Sequence, residues 1–449
     1  MNPKIETPEE KIAKASANQP HTLRGFRDVL PEEQAYWDKV MDTARRLADD
    51  YSFGRIRLPL LEKTSLFERA VGKGTDIVEK EMFTFLDQSG DRVSLRPEAT
   101  AQVARAFVEH GMLNLPQPVK LWYVEPMFRY DRPQAGRYRQ FWQWGLEALG
   151  SQEPIIDAQV ILMCAQLMKE LGIEVVVKLN SIGTPQSRRE YIMELVNYFK
   201  QHRRQLSEID KKRLAKNPLR LLDSKEEGME ELKKNAPQIV DWLDDDSKQH
   251  FMKVLEYLDE VDVHYELDPF LVRGLDYYSK TVFEIVQVTN NPERSQNSLA
   301  GGGRYDDLIV QMGGREGAGA MGAAVGIERV IAAMKDAGAP VPHARKVEVF
   351  FCQLGEAARR KGLLIFERFR QAGVPVAEAF GKGSLKAQLD LANKHGAKIA
   401  LILGQKEVLD GTIIIRDMDS GAQEIVDSDR VVDLVSKRMT DERALTAKG

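Results

Sequence analysis

The chain has 449 residues, of which 43% are hydrophobic and 29% are charged, and its formal net charge is -4. A chain of this length usually forms two or three domains, and its apolar content is enough for a sizeable core. The weak negative charge excludes binding of nucleic acid through overall charge, so any such contact must come from local patches. No apolar run in the sequence has the length of a membrane span.

The termini and the cysteines favour a cytoplasmic protein without a metal site. Residues 1–20 are polar, lack the apolar core of a signal peptide and predict a flexible tail, as do residues 441–449. Cys164 and Cys352 lie far apart and match neither a metal-binding spacing nor a disulfide framework. Cys164 falls in the apolar stripe of a predicted helix, which favours a buried structural thiol.

The predicted elements of the first part of the chain mix short strands with helices. Apolar residues at helical spacing predict helices over 31–51 and 157–171. Strand-like segments between turn residues lie at 55–61, 82–86, 93–95, 119–125 and 174–181. Residues 184–260 are charged and predict a helical insertion, strand character returns at 263–272 and 281–288, and glycine is dense over 301–326.

The pattern changes after the proline-containing joint at 339–346. Predicted strands at 347–351, 374–379 and 399–404 alternate with helices at 356–372 and 384–395. Such alternation indicates a small α/β domain with a largely parallel sheet. The boundaries therefore place a first domain over 21–342 and a second over 343–440.

The segment FRYDRPQAGRYRQF (128–141) concentrates arginine around a predicted hairpin turn at Pro133 and Gly136. Its four arginines are Arg129, Arg132, Arg137 and Arg139. The planar guanidinium fork suits phosphates and carboxylates held in a fixed orientation. A solvated charged hairpin with local pairing to Asp131 is the alternative, and the interleaved aromatic residues favour a binding cleft instead.

Two further polar segments carry candidate site residues. In LRPEATA (95–101), Glu98 could bind an amine or serve as an acid at a helix N-terminus, and alone the second interpretation is favoured. In LVRGLDYYSKTVFEI (271–285), Arg273 precedes Tyr277 and Tyr278. Adjacent rings in an extended segment would point to opposite faces, so only one is expected to reach a site, and a core tyrosine is the alternative.

The glycine-rich region contains a match to a dinucleotide-binding pattern. GAGAMG (317–322) fits G-x-G-x-x-G, and Asp336 follows about twenty residues on. That fingerprint requires a preceding strand, whereas RYDDLIVQM predicts a helix equally well, so a dinucleotide oxidoreductase is disfavoured. The glycines instead indicate close approach of backbone to backbone or to a ligand, with Arg329 near the start of the helix that follows.

Together these segments resemble the histidyl-tRNA synthetases, a class II aminoacyl-tRNA synthetase family, over roughly residues 20–440. LPLLEKTSLFERAVG (58–72), FRYDRPQAGRYRQFWQWGLE (128–147) and GAAVGIERV (322–330) resemble class II motifs 1, 2 and 3. LVRGLDYYSKTVFE and LAGGGRYDDL resemble the two peptides that separate the histidine enzymes from other class II members. The RGLDYY peptide is the most specific of these signals.

The resemblance implies an α+β catalytic domain built on an antiparallel sheet, with the helical insertion at 184–260 and a C-terminal α/β anticodon-binding domain. It implies ligation of L-histidine to its tRNA through a histidyl-adenylate, with release of AMP and pyrophosphate. ATP is then a substrate, with Mg²⁺ on its phosphates and no permanent cofactor. Motif 1 implies a homodimer, and the insertion is expected to contact the tRNA acceptor arm.

The resemblance also assigns roles to individual residues. Arg129 and Arg273 are the implied catalytic residues at the α-phosphate, with Arg329 at the γ-phosphate. Arg137 and Glu147 complete the implied ATP-binding set. The implied histidine-binding set is Glu98, Ala99, Thr100, Arg129, Gln143, Glu147, Arg273, Tyr277 and Tyr278. In this set, Glu98 and Thr100 face the α-amino group of histidine, and Gln143 faces its carboxylate. Glu147, Tyr277 and Tyr278 face the imidazole.

The sequence departs from the family pattern at a few positions, and other functions are weighed against the one that the resemblance implies. Ala99 replaces the glycine of the family's common R-P-E-G-T, and Trp142 and Trp144 stand where smaller or polar residues are frequent, so both features could change the pocket dimensions. The nearest rival is a non-catalytic, histidine-binding regulatory paralogue of ATP phosphoribosyltransferase. Such paralogues lack the C-terminal domain and lose catalytic arginines, whereas this chain keeps both. Another class II synthetase is disfavoured by RGLDYY.

Overall fold

The computed structural model describes residues 20–72, 74–133, 136–222, 224, 226, 228–288, 298–341, 347–381 and 383–446, with side chains up to 440. These residues form two compact units, one ending at 341 and the other beginning at 347. The predicted tail at 1–20 lies outside the described residues except for its last residue. Within the described part of the chain, no helix has the length and apolar character needed to cross a membrane.

The first unit is built on an eight-stranded sheet in the order β1-β5-β6-β11-β10-β9-β7-β8. Its strands are β1 (Gly54–Arg55), β5 (Val119–Phe128), β6 (Gln140–Leu149), β7 (Val175–Ser181), β8 (Tyr265–Leu267), β9 (Ser279–Gln287), β10 (Ser298–Arg304) and β11 (Ala320–Gly326). The inner strands pair antiparallel, and the two edge strands pair parallel to their neighbours. The predicted α+β domain on an antiparallel sheet is confirmed, with mixed pairing at both edges.

A small sheet and a set of helices complete this unit. The sheet has the order β2-β4-β3, with β2 (Leu61–Lys63), β3 (Thr84–Leu86) and β4 (Arg92–Leu95). The helices are Pro31–Asp50, Thr64–Ala70, Thr100–Glu109, Pro154–Glu170, Pro185–Gln201, Glu208–Lys216, Met229–Lys234, Asp245–Glu260, Asp306–Gln311 and Ile327–Asp336. Short 3-10 turns lie at Met112–Asn114, Arg203–Gln205, Pro218–Leu221 and Ile239–Trp242, and a π-helical turn lies at Ile77–Glu81.

Helix Pro154–Glu170 shows how the apolar pattern becomes packing. Pro154 occupies the first turn, where its missing N–H costs no hydrogen bond. The predicted stripe, including Val160, Cys164 and Leu167, is fully buried in the core beneath the large sheet. Burial raises the pKa of the Cys164 thiol to about 12, as expected for a structural cysteine.

Two predicted strands are shorter in the structure because prolines interrupt them. The segment 55–61 contributes only Arg55 to β1 and Leu61 to β2, with Pro59 between them. The segment 263–272 is a strand only over Tyr265–Leu267, shortly before Pro269. Proline cannot donate to a ladder, so these stretches leave the sheets.

The predicted helical character of residues 184–260 is observed, but the segment is not packed as a separate module. Phe251, Val254 and Leu258 of helix Asp245–Glu260 lie in the core beneath the large sheet. Tyr191 and Leu195 of helix Pro185–Gln201 are fully buried in a second core on the opposite side of the unit. The helical segment therefore contributes to both cores.

The second unit has a five-stranded sheet in the order β13-β12-β14-β15-β16. Its strands are β12 (Val349–Gln353), β13 (Val376–Glu378), β14 (Ile399–Leu403), β15 (Thr412–Asp417) and β16 (Gln423–Asp427), and its helices are Glu356–Gln371, Leu385–Lys394, Gln405–Asp410 and Val431–Thr446. The first three strands are parallel, and β15 and β16 are antiparallel. The three strands that the sequence predicted are therefore parallel as expected, and β15 and β16, which the sequence analysis did not identify, add two antiparallel pairings.

A buried charge cluster ties the large sheet to two helices behind it. Arg304 of β10 is fully buried and pairs with Asp157 and with Asp306, the latter at 3.0 Å. His250 lies 3.3 Å from the other carboxylate oxygen of Asp157. Burial would raise the pKa of Asp157, but Arg304 and His250 outweigh it and hold the pKa below its ordinary value.

Substitution Asp157→Asn should lower the free energy of unfolding by about 3–5 kcal/mol, because it leaves buried Arg304 without its main counter-charge. Urea denaturation measures this. Asp50→Asn, which breaks the exposed Arg46–Asp50 pair, is the matched control and should cost less than about 1 kcal/mol.

Since the folded-state pKa of Asp157 is depressed, its contribution to the free energy of unfolding is present at neutral pH and should fade below about pH 4. Equal effects of the two substitutions would contradict the prediction.

Candidate active site

A cavity of about 260 Å³ opens on one face of the large sheet in the first unit. Its walls come from β5, β6, β9, β10 and β11, from the turn at residues 273–278, and from the start of helix Thr100–Glu109. The lining includes nearly all of the predicted site residues: Glu98, Ala99, Thr100, Arg129, Arg137, Gln143, Arg273, Tyr277, Tyr278 and Arg329. Segments far apart in sequence therefore meet in one pocket.

Strand alternation on β6 decides which residues face the cavity. Phe141 and Gln143 line it, whereas Trp142 and Trp144 pack into the core on the other face. The Trp142 ring meets the Trp37 ring edge-on at 6.2 Å between centroids. The expectation that these tryptophans could change the pocket dimensions is therefore wrong, whereas Ala99 does line the cavity.

Arg129 stands at the end of β5, where its side chain is fixed from two sides. Its Nε–H donates to the Pro97 carbonyl at 2.8 Å, and its guanidinium lies 5.5 Å from the centre of the Phe141 ring. Burial lowers the pKa of Arg129, while Glu81 and Glu98 act in the opposite direction. An anion entering the cavity would meet this guanidinium in a fixed orientation.

Arg273 and Arg329 approach the same cavity from other elements. Arg273 lies 3.5 Å from the Glu284 carboxylate, and Arg329 donates to the Ser298 carbonyl at 2.9 Å. Burial lowers the pKa of Arg329, and the nearby charges of Arg137, Arg129 and Arg273 lower it further. These mutually repelling cations favour a ligand with several negative charges.

The remaining arginines of the 128–141 segment divide into different roles. Arg137 lines the cavity and pairs with Asp131 at 2.9 Å. The Arg139 guanidinium lies 3.6 Å from the centre of the Tyr130 ring and also donates to the Arg24 carbonyl at 3.3 Å. Arg139 therefore braces the loop from outside the cavity, and Arg132 is likewise absent from the lining.

Glu98 combines both roles that its sequence context allowed. Its carboxylate accepts the Ala101 backbone N–H at 3.1 Å in the first turn of helix Thr100–Glu109. The same carboxylate lines the cavity and lies 3.5 Å from the Tyr277 hydroxyl. Burial raises the pKa of Glu98, with the Ala101 N–H and Arg129 opposing it.

Glu147 lies deeper than the cavity wall and is not among the lining residues. It is fully buried and accepts hydrogen bonds from the hydroxyls of Thr100 at 2.8 Å, Tyr123 at 3.4 Å and Tyr305. Burial raises its pKa to about 8 although these hydroxyls favour the carboxylate. A Cβ at Gly322 would lie 1.8 Å from its Oε2, so only glycine fits beside it.

Both Tyr277 and Tyr278 line the cavity, which corrects the expectation that only one ring would reach it. Their rings lie 4.6 Å apart between centroids. The expectation assumed an extended segment, but residues 274–277 form a bend and turn, and β9 starts only at Ser279. Opposite orientation of neighbours holds in a strand and not in a turn.

Four acidic lining residues were not among the predicted site residues: Glu81, Asp131, Glu284 and Glu328. Glu328 directly precedes Arg329, and both of its oxygens accept the Trp142 backbone N–H at 3.0 Å. Burial raises the pKa of Glu328 to about 7. The segment VFEIV (282–286) carried a signal for Glu284, because Glu284 is its one polar residue and faces the same side of the strand as Val282.

The arrangement can hold a small zwitterion beside a polyphosphate. Its lining presents buried carboxyl and hydroxyl groups together with guanidinium groups, and the Arg273 guanidinium lies 5.9 Å from the centre of the Tyr278 ring. Across the part of the chain that the structure describes, no group of three or more His, Cys, Asp or Glu side chains could hold a metal ion by itself.

Comparison with known proteins gives consistent matches along the whole chain. The sequence model of the family described as Histidyl-tRNA synthetase matches residues 25–330, and that of the Anticodon binding domain matches residues 348–438. The chain is 41% identical over 418 residues to a histidine–tRNA ligase of Caldicellulosiruptor bescii, covering 93% of this chain and 98% of the relative.

Solved structures agree in fold. The apo histidyl-tRNA synthetase of S. aureus matches with a TM-score of 0.75 at 32% identity, covering 93% of this chain and 99% of that one. An ATP phosphoribosyltransferase regulatory subunit/histidyl-tRNA synthetase from Bacillus halodurans matches with a TM-score of 0.61 at 23% identity, covering 86% and 99%. At this identity the second match concerns the fold alone.

The raised pKa of Glu147 predicts a pH-dependent stability. The unfolded chain loses this proton near the ordinary glutamate pKa, whereas the folded chain keeps it up to about pH 8. The stability contribution is therefore complete at low pH and is lost as the pH rises through that interval. The free energy of unfolding should fall from pH 5 to 8 more steeply in the wild type than in Glu147→Gln.

Urea denaturation at several pH values measures this difference. Glu256→Gln is the control, because Glu256 is exposed on helix Asp245–Glu260 and should leave the wild-type pH profile unchanged. Parallel profiles for wild type and Glu147→Gln would show that Glu147 does not titrate in this range.

Proposed function

The chain belongs to the histidyl-tRNA synthetase family, and from this premise we propose that the cavity of the first unit binds L-histidine and ATP and joins them. The protein catalyses ATP-dependent ligation of histidine to tRNA. The observation that carries the assignment of the site is the convergence of Arg129, Arg273 and Arg329 on one cavity that is also lined by Glu98 and the two adjacent tyrosines.

The arginines suit the activation step of this reaction. The histidine carboxylate attacks the α-phosphorus of ATP, and pyrophosphate leaves. Both reactants are negatively charged, so their approach costs Coulomb energy unless cations lie between them. Arg129 and Arg273 are the proposed catalytic residues at the α-phosphate, with Arg329 and Arg137 at the rest of the triphosphate. Guanidinium groups positioned in advance stabilise the charge that spreads over the phosphoryl oxygens.

Another part of the same cavity is proposed to hold the amino acid. Glu98 and Thr100 would bind the α-ammonium group, and Gln143 would bind the carboxylate before it reacts. Tyr277 and Tyr278 would contact the imidazole. A buried polar pocket of this kind rejects amino acids that leave its groups unpaired.

Glu147 is proposed to orient residues of the amino-acid site from a buried position outside the cavity lining. Its carboxylate accepts from the Thr100 and Tyr123 hydroxyls, both of which line the cavity, and so orients them. Its buried position supports a role on the imidazole and ammonium side and gives no support for a contact with ATP.

Mg²⁺ is proposed to enter with the phosphates of ATP. Glu284 is the carboxylate suited to hold it, because it lines the cavity between the elements that carry Arg273 and Arg329. Mg²⁺ usually binds one or two carboxylates together with substrate phosphates. It would supply further positive charge to the leaving pyrophosphate, and the chain's own arginines orient the nucleotide.

The second unit is proposed to bind the anticodon, because its sequence matches an anticodon-binding family. Unstacked bases of a single-stranded loop suit recognition by such a domain. The domain limits at 21–342 and 343–440, with the insertion at 184–260, stay proposals. The cytoplasm, where tRNA is used in translation, is the proposed location.

A homodimer through the motif 1 region is proposed as well. Leu60 and Leu61 are about half exposed, at 47% and 43%, and Phe85 and Leu86 of the adjoining small sheet are exposed at 47% and 66%. A cluster of large apolar side chains on a monomer surface is typical of a protein–protein contact.

The regulatory paralogue is the alternative, and two features argue against it. This chain has Arg129, Arg273 and Arg329 in one cavity, so the groups needed for phosphoryl chemistry are present. It also has the second unit, which a histidine-binding regulator does not need. The Bacillus halodurans structure supports a shared fold and does not favour either activity.

ATP–pyrophosphate exchange with each of the twenty amino acids and no tRNA tests the proposal. Histidine alone should support exchange. Arg273→Ala should lower the exchange rate by about 100-fold or more while histidine binding changes less, since the arginine acts on charge that develops in the transition state. Histidine binding without exchange in the wild type would establish the regulatory paralogue instead.

Gly301→Ala should impair the same reaction through Arg273. A Cβ at Gly301 would lie 2.4 Å from one guanidinium nitrogen of Arg273, so this side chain must move. Displacement of about 1 Å at a catalytic group can cost roughly 100-fold in rate. Gly54→Ala is the matched control on the same sheet, where the nearest atom would lie at an ordinary 3.7 Å. Wild-type exchange by Gly301→Ala would show that Arg273 tolerates the displacement.

A further inference from the structure

The turn at residues 273–278, called the cavity turn below, lines the cavity with four side chains, those of Arg273, Leu275, Tyr277 and Tyr278, and has no regular secondary structure of its own. Arg273, Tyr277 and Tyr278 point into the cavity from it. The segment between β8 and β9 is irregular from 268 to 278. Its backbone polar groups therefore need partners from other parts of the fold.

Two arginines of the helical segment contact the backbone of the cavity turn. Arg188, on helix Pro185–Gln201, donates from Nη1 to the Tyr278 carbonyl at 2.5 Å. Arg220, on the 3-10 turn Pro218–Leu221, donates from Nη2 to the Gly274 carbonyl at 3.5 Å. The shorter contact is at the end that carries the tyrosines, and neither arginine lines the cavity.

The negative charge of Asp276 favours the contacts that Arg188 and Arg220 make with the turn. The Asp276 carboxylate lies near both arginines, which oppose the rise in its pKa caused by burial. Burial lowers the pKa of Arg188, while Asp276 and Asp307 oppose that change. Asp276 also donates its backbone N–H to the Val71 carbonyl at 3.2 Å. The turn is thus held between the helical segment and the motif 1 region.

The chain just after the cavity turn is fixed by the helical segment too. Lys280 has a φ of 48°, which is unfavourable for a non-glycine residue. Its backbone N–H donates to the Gly183 carbonyl at 2.9 Å, and its Nζ pairs with Asp246 at 2.6 Å. Such backbone strain persists only where surrounding contacts determine it.

We propose that Arg188 is a positioning residue for histidine activation, holding the Tyr278 carbonyl so that the Tyr278 ring faces the cavity. The inference rests on the proposed function. Arg188 reaches the substrate only through the backbone of the turn, so its loss should disturb the amino-acid end of the cavity more than the ATP end. A charged donor to a buried carbonyl is among the stronger hydrogen bonds in a protein.

The experiment compares Arg188→Met with wild type in histidine-dependent ATP–pyrophosphate exchange, together with thermal unfolding. We expect kcat/KM for histidine to fall roughly tenfold or more, the scale of one charge-assisted hydrogen bond. The KM for ATP and the unfolding midpoint should change little. Arg188→Lys keeps a charged donor and should recover part of the loss. Arg189→Met is the matched control, because Arg189 is the next residue on the helix and is exposed.

The outcomes separate this inference from the proposed function. Absence of exchange in the wild type would refute the function itself. An active wild type with Arg188→Met equal to Arg189→Met would overturn the positioning role, and so would an equal loss for histidine and ATP with a lowered unfolding midpoint. If Arg188→Met does not fold, Arg220→Met decides: a smaller loss confined to histidine supports the role, and no loss overturns it.

Discussion

Arg129, Arg273 and Arg329 face one cavity in which burial and mutual repulsion both act against their charges, as the lowered pKa of Arg329 shows. A guanidinium stays charged even so, because its ordinary pKa is very high. The fold must therefore compensate, and it does so with the carbonyls of Pro97 and Ser298 and the carboxylate of Glu284. A triphosphate bound there would relieve the remaining repulsion between the guanidinium groups.

Glycine is required at two positions for a related reason, because two polar side chains lie directly against the backbone of β10 and β11. A Cβ at Gly301 would collide with the Arg273 guanidinium, and one at Gly322 would collide with the Glu147 carboxylate. The Arg273 and Glu147 side chains therefore occupy the space that side chains on β10 and β11 would otherwise fill. Of the G-x-G-x-x-G match at 317–322, only Gly322 answers to this requirement, because a Cβ at Gly319 would meet the Ser151 backbone and nothing lies within 4 Å of one at Gly317. The match leads into β11 and not from a strand into a helix, as a dinucleotide site would need.

Regular elements could be predicted from the sequence because their periodicity is local. The stripe of helix Pro154–Glu170 and the alternation of strands and helices from β12 to β14 depend on spacing within a few residues. The pairing of Cys164's helix with Asp245–Glu260, and the burial of Glu147, depend on contacts between distant segments. The orientation of Tyr277 and Tyr278 was predicted wrongly for the same reason, since a turn stabilised from outside has no periodicity of its own.

The site is therefore divided between two kinds of support. Arg129, one of the groups proposed for ATP, follows the long antiparallel strand β5, and Gln143, proposed for the histidine carboxylate, stands on β6. The tyrosines proposed for the imidazole stand on the cavity turn together with Arg273, and Arg188, Arg220 and Val71 contact the backbone of this turn. On this proposal, selection of the amino acid depends on the helical segment, although that segment does not line the cavity. Contacts made on the helical segment would then alter the position of the tyrosines, while Arg129 and Gln143 keep the places that β5 and β6 give them.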